Sequence, residues 1–352
     1  MRVLIVDTYY PAFLESHYSR SPGLAAAPYE HQWRALMDTF FATGDAYSHN
    51  LRALGHEAHE VVVNAAPLQS AWAREHGLDP AAGEDAILLA QVADFAPDVV
   101  YFQHVHSVRE ELLGTLGRRG VLVVGELATE PPDLGLLRAF DLIVTALPSF
   151  AARFGAAGVR TEQLRLAFDE RVLKRVGPQP ARHDAVFVGS LGRTQHRRSN
   201  GLVARAAWTV PIEFWGYGGQ LWPPWSPVKR RYRGEAWGLE MYELLAASRI
   251  VVNRHGSIAG PYAVNMRLYE GTGMGTLVLT DNGDTLGELF APGVEAVTYA
   301  SRRELVDRIR YYLRHEDERA AIAAAGQART LRDHTYAQRM RELAAMLEAA
   351  RP

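Results

Sequence analysis

The sequence contains no cysteine, which excludes disulfide bonds, thiolate zinc sites and cysteine nucleophiles. No apolar run approaches the roughly 20 residues that a membrane-spanning helix needs. The opening segment MRVLIVDTYYP has too short an apolar core for a signal peptide and is typical of a first β-strand. A formal net charge of −2 argues against a general nucleic-acid binder. Together these absences favour a soluble protein without stable membrane insertion, and we expect a cytoplasmic one.

Several catalytic motifs are missing as well. The chain has no G-x-S-x-G, no phosphate-binding P-loop and no H-E-x-x-H, so hydrolase, P-loop nucleotidase and zincin functions have no basis in the sequence. No Asp-x-Asp pair is present either. We therefore expect a protein that holds no metal ion.

What the chain does contain is a repeated alternation of apolar runs and helical segments. The runs at 2–7, 98–103, 120–127 and 141–146 predict β-strands, and the pattern restarts at 184–192. Strands that are apolar almost throughout, and separated by helices, are typical of parallel sheets covered on both faces. The sequence therefore predicts an α/β protein with two Rossmann-like, doubly wound domains and a helical C-terminus.

The domain boundary is predicted from composition. Prolines, a glycine and mixed charges cluster near residue 178, which favours a linker at 171–183. The first domain would then span 1–170 and the second 184–352, with a last helix able to pack back on the first domain. Ligands of open α/β sheets bind at the carboxyl ends of the strands. We therefore expect a cleft between two such edges.

The stretch NMRLYEGTGMGTLVLTDNGD (265–284) carries glycines at alternate positions. A dinucleotide fingerprint needs a strand, then glycines, then a helix, so that the pyrophosphate meets a helix N-terminus. Here the glycines follow a helical segment and precede a strand, which argues against a dehydrogenase. Arg267 and Glu270 are three residues apart and share a helix face. The residues alone leave open a surface ion pair followed by a glycine-rich turn.

The same stretch, together with FWGYGG, MYELLAASRIVVNRHG and HTYAQRM, resembles the CgeB-like glycosyltransferases, which are GT-B enzymes related to glycosyl transferases group 1. The resemblance covers 184–340 and continues more loosely in the first half. It implies two Rossmann-like domains and metal-independent transfer from a nucleotide-diphosphate sugar, with a UDP-sugar as the first choice. The implied partners are that co-substrate, with no further cofactor, and an acceptor that is a small molecule, a glycan or a protein.

The resemblance also implies roles for particular residues. Glu270 would hold the donor ribose hydroxyls, and Gly271–Gly275 would lie against the nucleotide. Many retaining GT-B enzymes carry another Glu eight positions earlier, which contacts the transferred sugar. Tyr262 stands there in this sequence, so the sugar contact and the stereochemical outcome stay open.

Three loops that follow predicted strands complete the donor-binding hypothesis. Backbone N–H groups and cations in LGRTQHRRSN could meet a diphosphate, or could form a solvated basic helix start. The loops after RIVVN and FW could contact phosphate and base, or could hold ordinary polar and core residues. The donor-binding candidates are Asn265, Arg267, Glu270, Gly271, Thr272, Gly273, Gly192, Arg193, His196, Arg198, Gly216, Tyr217, Asn253 and His255.

Acceptor activation is assigned to the first domain. An inverting enzyme needs a general base near the acceptor hydroxyl. His104, His106, Glu126 and Asp7, in that order, follow three predicted strands and are the candidates. Period-2 spacing would put both histidines on one side, but no third residue has a spacing suited to zinc.

Two other functions stay open at this point. A sugar-nucleotide epimerase can share the same two-domain shape, and a non-catalytic protein can keep the nucleotide-sugar site without the chemistry. The Trp/Pro/Arg-rich loop at 221–237 is compatible with an anionic acceptor, a membrane surface, nucleic acid, or simple cover for a sheet edge. The oligomeric state is not indicated.

Overall fold

The chain divides into two compact units in the structure, which is a computed structural model. Unit 1 comprises Met1–Arg165 and Tyr336–Pro352, and unit 2 comprises Leu166–Thr335. Each unit has its own parallel sheet flanked by helices, which confirms the predicted doubly wound α/β class. The structure describes residues 1–131, 133–192 and 197–351, and for 197–199 the backbone only.

The sheet of unit 1 has six parallel strands in the order β2-β1-β3-β4-β5-β6. The central strands are apolar and buried on both faces because helices cover both sides of the sheet. The strands are β1 (Arg2–Asp7), β2 (Glu57–Val62), β3 (Val99–Phe102), β4 (Leu122–Glu126), β5 (Leu142–Thr145) and β6 (Thr161–Gln163). The helices are α1 (Pro11–Arg20), α2 (Tyr29–Met37), α3 (Ala46–Ala53), α4 (Ala66–Glu75), α5 (Glu84–Phe95), α6 (Glu110–Gly117), α7 (Leu134–Leu137) and α8 (Pro148–Ala156).

The sheet of unit 2 has five parallel strands in the order β11-β10-β9-β7-β8. The strands are β7 (His183–Val188), β8 (Ile212–Trp215), β9 (Ser248–Val252), β10 (Leu277–Asp281) and β11 (Val297–Tyr299). The helices are α9 (Arg171–Val176), α10 (Arg197–Ala206), α11 (Pro227–Arg230), α12 (Gly238–Ala246), α13 (Met266–Gly273), α14 (Leu286–Leu289), α15 (Arg302–Tyr312) and α16 (Glu316–Asp333). A last helix, α17 (Tyr336–Ala350), packs on α3 within unit 1.

Strand order gives each sheet one place where a ligand crevice forms. In unit 1 the chain runs from β1 to β2 on one side and then places β3 on the other side of β1. In unit 2, β8 and β9 flank β7 in the same way. Such a reversal opens a crevice at the carboxyl ends of the two neighbouring strands. The β1/β3 and β7/β9 junctions are therefore the expected binding positions.

The division of the chain differs from the predicted boundaries at 170 and 184. The segment 171–183, predicted to be a linker, contains α9 and belongs to unit 2. Val172 and Val176 are buried, and α9 packs against α12. Its prolines and Gly177 only end this helix, so a composition typical of linkers here marks a helix terminus. No helix in the described ranges combines the length and apolarity needed to cross a bilayer.

Candidate functional site

A cavity of about 200 Å³ opens at the β7/β9 junction of unit 2. Its walls come from the loop after β7, the loop after β9 and the start of α13. Asn265 caps that helix, because its Oδ1 accepts from the backbone N–H of Arg267 at 2.8 Å. The positive end of the α13 dipole therefore lies at the cavity, which favours an anion there. Of the predicted donor residues, Asn253, His255, Asn265 and Arg267 line it.

Arg267, which lines the cavity, is paired with Glu270, the residue predicted to hold the donor ribose. Its Nη1 lies 2.6 Å from Glu270 Oε2, and its Nε donates to the carbonyl of Val188 at 3.2 Å. The hydroxyl of Tyr242 donates to Glu270 Oε1 at 3.4 Å. The ion pair expected from the i,i+3 spacing is thus present, but Glu270 is only 6% exposed and lies outside the cavity lining. Here its carboxylate orients Arg267, and a contact with ribose stays a prediction.

The glycines after Glu270 do not form the turn or the loop considered from the sequence. Gly271 and Gly273 lie inside α13, and only Gly275, with φ of 73°, turns the chain. A Cβ on Gly271 would come within 2.8 Å of Val278, and one on Gly273 within 2.5 Å of the Phe168 ring. Thr272 Oγ1 shares a 2.7 Å hydrogen bond with Thr330 Oγ1 of α16. These three residues therefore pack α13 onto its neighbours and do not line the cavity.

Behind the cavity wall runs a hydrogen-bonded network. Asn253 Nδ2 donates to Thr280 Oγ1 at 3.0 Å, and His255 Nε2 lies 3.2 Å from the same oxygen. The backbone N–H of His255 donates to Asp281 Oδ1 at 2.8 Å. Burial lowers the pKa of His255 and raises the pKa of Asp281. His255 is thus held neutral, as a fixed polar group at the cavity.

Arg254 and Asp281 were not among the candidates selected from the sequence. Arg254 lines the cavity between the candidates Asn253 and His255, and its Nε lies 3.8 Å from Asp281 Oδ2. That Nε is buried and makes no hydrogen bond to any described residue. The sequence shows that Arg254 follows one apolar run and that Asp281 ends another, but only the strand order brings the two together, because β10 lies beside β9.

The loops after β7 and β8 support the cavity wall. The N–H of Gly189 donates to the carbonyl of Trp215 at 3.0 Å, and the N–H of Leu191 to that of Tyr217 at 2.9 Å. Gly216 has φ of 122°, and a Cβ there would lie 2.0 Å from the carbonyl oxygen of Gly189. Gly192, Gly216 and Tyr217 lie outside the cavity lining. Arg193 and His196 fall outside the described residues, and Arg198 is described only in its backbone.

Unit 1 carries a polar cluster at its own β1/β3 junction. His104 Nε2 lies 3.2 Å from Asp7 Oδ1, which also accepts from the backbone N–H of Thr8. Asp7 is 3% exposed, whereas the His104 side chain is half exposed. The hydrogen bond to Asp7 raises the pKa of His104, although burial opposes it. Asp7 Oδ2 and Gln103 Nε2 are buried and make no hydrogen bond within the described part of the chain, so both keep unused hydrogen-bonding capacity.

Glu126 interacts electrostatically with Asp7 and His104, and it is held by two tyrosines. The hydroxyls of Tyr101 and Tyr47 donate to its Oε2 at 2.7 and 3.0 Å. Burial raises the pKa of Glu126, against the lowering effect of both tyrosines and of His104. Sequence reasoning missed both tyrosines, since an aromatic residue within an apolar run is usually a packing residue.

His106 does not join this cluster. A single turn of 3₁₀ helix at Val105–Ser107 interrupts the extended chain, so the period-2 argument does not apply. Its Nε2 lies 2.7 Å from Thr129 Oγ1 in an exposed position. Over the described ranges, no three His, Asp or Glu side chains gather as a metal site would require.

Comparisons with known proteins agree with this architecture. A family model described as "Glycosyl transferase-like" matches residues 195–345. HepE from Anabaena, solved in complex with UDP-glucose, superposes with a TM-score of 0.64 at 14% identity, over 99% of this chain and 100% of that one. Sucrose-phosphate synthase from Thermosynechococcus elongatus has a TM-score of 0.59 at 12% identity, again over 99% and 100%. The chain has the GT-B fold.

A glycosyltransferase from Rickettsia africae matches this GT-B fold as well, with a TM-score of 0.61 at 10% identity over 99% of this chain and 98% of that one. A comparison with curated protein sequences finds no match. Within the GT-B fold of this chain, each unit places one polar site at the switch point of its own sheet. The two sites differ in charge: cations line the cavity of unit 2, and in unit 1 the carboxyls of Asp7 and Glu126 act on a half-exposed histidine.

Proposed function

We propose that this protein is a glycosyltransferase that takes its sugar from a nucleotide-diphosphate donor, with UDP as the first choice of nucleotide. The observation that carries the proposal is the cavity of unit 2, where Arg254, Arg267 and the N-terminus of α13 converge at a topological switch point. The matched family description and the UDP-glucose complex of HepE support the same function. The similarity of residues 184–340 to CgeB-like enzymes suggests that subgroup, and a cytoplasmic enzyme fits a nucleotide-sugar donor.

The cations of the cavity suit a metal-independent departure of the diphosphate. As the bond from C1 of the sugar to the phosphate oxygen breaks, negative charge grows on that oxygen. Preorganised donors aimed at that charge stabilise the transition state most strongly where water is excluded. Arg267 is held in place by Glu270, and the buried Nε of Arg254 is available for one more hydrogen bond. These groups would do the work for which other transferases use a divalent ion.

The acceptor side is assigned to the Asp7–His104 pair. With Nε2–H of His104 donating to Asp7, the neutral ring has its lone pair on Nδ1. Nδ1 would take the proton of the acceptor hydroxyl while that oxygen forms the bond to C1 and the nucleoside diphosphate departs. A general base on the acceptor is a requirement of single displacement, so this pair favours inversion at C1. Glu126 would then contribute negative charge beside the developing imidazolium.

Ligand binding tests the donor site directly. A thermal-shift panel of UDP, GDP and dTDP should show stabilisation by one of them, because a ligand at 100 times its dissociation constant adds about 2.7 kcal/mol. Glu270→Gln should weaken that binding roughly tenfold, since Arg267 loses its charged partner. Glu243→Gln, an exposed carboxylate of the same unit, is the matched control. Absence of binding for all three at millimolar concentration would remove the catalytic proposals together.

Product analysis separates the two enzymatic functions. A transferase releases the nucleoside diphosphate and enlarges an acceptor, whereas an epimerase returns an isomerised donor and no free diphosphate. A protein that binds donor and yields neither product is the non-catalytic alternative. The anomeric proton coupling of the product, read by NMR, reports inversion or retention.

A further inference from the structure

Exposed apolar side chains concentrate in one part of unit 2. Among the described residues, eight large hydrophobic side chains are exposed, and four of them lie between residues 208 and 225. Trp208 is 58% exposed, Leu221 70% and Trp225 72%. Indole rings this exposed lose the benefit of burial, and clustered exposure of this kind marks interaction sites. The exposed side chains of this segment therefore indicate a binding surface.

Part of this segment forms a groove of about 280 Å³. One wall is the exposed face of α10, with Arg205, followed by Trp208. The other wall is the loop that carries Trp222, Trp225 and Ser226. We name this the tryptophan groove, and its remaining walls are glycine, alanine and proline. It thus combines three indoles with a single guanidinium group.

The groove is held in shape by hydrogen bonds. Trp222 Nε1 donates to the carbonyl of Leu191 at 2.8 Å. Ser226 Oγ accepts from the N–H of Val228 at 3.2 Å and so caps α11, while Lys229 Nζ donates to the carbonyl of Gln220 at 3.1 Å. Side chains fixed in advance lose little conformational freedom when a ligand binds. The Trp222 ring and the loop that carries Trp225 are therefore preformed parts of the groove.

We propose that the tryptophan groove binds sugar units of a glycan chain. A pyranose ring has an apolar C–H face that stacks on an indole, and its hydroxyls accept hydrogen bonds at the edge. Three indoles supply the flat apolar surfaces, and the five N–H donors of Arg205 supply the polar contact. The volume of about 280 Å³ lies just below the usual range of ligand pockets, which is about 300 to 1,000 Å³. One or two sugar rings fit that size.

Other occupants fit less well. A membrane surface or a nucleic acid is held by clusters of about four to eight basic residues. Arg205 is the single charged residue among those described as lining the groove. A second protein copy would bury about 800 Å² on each partner, far more than a groove of this size offers. Neutral, ring-shaped ligands remain the best match.

The groove and the candidate donor cavity share structural elements, namely α10 and the loop after β7. Asn200 of α10 lines that cavity, and the next residue, Gly201, lines the groove. Trp222 is bonded to Leu191, in the loop whose Gly189 and Ser190 form a cavity wall. A glycan held here would therefore be the acceptor or the growing product of the transfer. That assignment rests on the proposed function, whereas glycan binding itself does not.

Titration of the intact protein with oligosaccharides tests the groove. Maltohexaose, cellohexaose and chitohexaose are the probes, followed by calorimetry and by saturation-transfer NMR. At least one should bind, and Trp225→Ala and Trp208→Ala should each weaken it roughly tenfold, as truncation of a central aromatic contact does. Both side chains are mostly exposed, so the variants should fold. Trp225→Tyr should restore much of the affinity, and Leu221→Ala, equally exposed but outside the lining, should leave it unchanged.

Three results would overturn the inference. The first is that none of the three probes binds. The second is that Leu221→Ala and Trp225→Ala lose the same amount of oligosaccharide affinity. The third is that the protein binds vesicles containing phosphatidylglycerol in a Trp225-dependent way and binds no glycan. UDP binding is measured on the same samples by thermal shift. Glycan binding without UDP binding would support the tryptophan groove as a glycan site and contradict the proposed function. UDP binding together with glycan binding that does not depend on Trp225 would support the proposed function and contradict the groove.

Discussion

At the scale of single residues, the Asp7–His104 pair makes the sharpest prediction about activity. Only neutral His104 can accept a proton, so kcat/KM should rise with pH through a pKa that the hydrogen bond to Asp7 holds above its usual value. Asp7→Asn removes the carboxylate that raises this pKa. The acid limb of the profile should therefore move to lower pH, and the plateau should fall. His104→Ala should lower kcat/KM by about 100-fold or more.

His106→Ala is the matched comparison for that profile. Both histidines follow the same strand, but His106 is bonded to Thr129 in an exposed position. Its removal should leave the profile unchanged. A loss in His106→Ala equal to that in His104→Ala, or an acid limb that Asp7→Asn does not move, would contradict a base at His104.

Glu60 on β2 makes a second residue-scale prediction, which concerns stability. Burial raises its pKa from about 4.5 to about 7, although the N–H and hydroxyl of Ser48 both donate to it and lower the pKa. Between those values the folded state keeps a proton that the unfolded state releases, so stability falls as pH rises from about 4.5 to 7. The fall would reach about 3 kcal/mol. Glu60→Gln, neutral at every pH, should flatten it in calorimetry from pH 5 to 8.

The control for this prediction is an exposed carboxylate of the same strand. Glu57 pairs with Arg2 at the surface, where ion pairs contribute little. Glu57→Gln should keep the pH dependence of the parent protein. If Glu60→Gln keeps it too, Glu60 titrates near its ordinary value in the folded protein and the burial argument fails.

At the scale of elements, apolar runs were enough to predict most strands and the places where polar residues follow them. The order of strands then decided which of those residues meet, because β3 lies beside β1 and β9 beside β7. Predictions made from local composition were wrong where the segment is buried, because composition does not show which residues pack against distant parts of the chain. The segment 171–183 looks like a linker but contains α9, and the glycines of α13 look like a turn. In both cases a distant packing partner, invisible in the local sequence, settles the conformation.

A substitution at Gly273 tests whether a distant packing partner decides which residue α13 can carry. Alanine normally favours a helix over glycine by about 1 kcal/mol. At Gly273 the added Cβ would come within 2.5 Å of the Phe168 ring, which is fully buried and cannot move aside cheaply. Gly273→Ala should therefore destabilise the protein by about 1–3 kcal/mol in urea unfolding. Gly287→Ala in α14, where nothing lies within 4 Å, should be neutral or slightly stabilising. Stabilisation by both changes would show that α13 tolerates the methyl group.

At the scale of the whole molecule, the site of unit 1 is where sequence reasoning had least to work with. Tyr47, Tyr101 and Glu126 come from three separate segments and meet only because the sheet places β4 beside β3 and α3 packs on the neighbouring strands β1 and β2. The last helix shows the same dependence, since Tyr336 lies far along the chain yet its ring is 5.6 Å from that of Tyr47. Residue type indicates what each group can do, whereas topology decides which groups act together.

The positions of the two sites predict which segments of the chain a bound nucleotide should protect from hydrogen exchange. UDP at 100 times its dissociation constant adds about 2.7 kcal/mol against opening of the segments that it contacts. Hydrogen exchange followed by mass spectrometry should then show slower exchange in peptides covering 187–190, 252–256 and 265–267, which line the cavity. Peptides covering the Asp7–His104 cluster of unit 1 should exchange as before. Protection confined to unit 1, or persisting in full in Arg267→Ala, would place the nucleotide elsewhere and leave the cationic cavity without its proposed ligand.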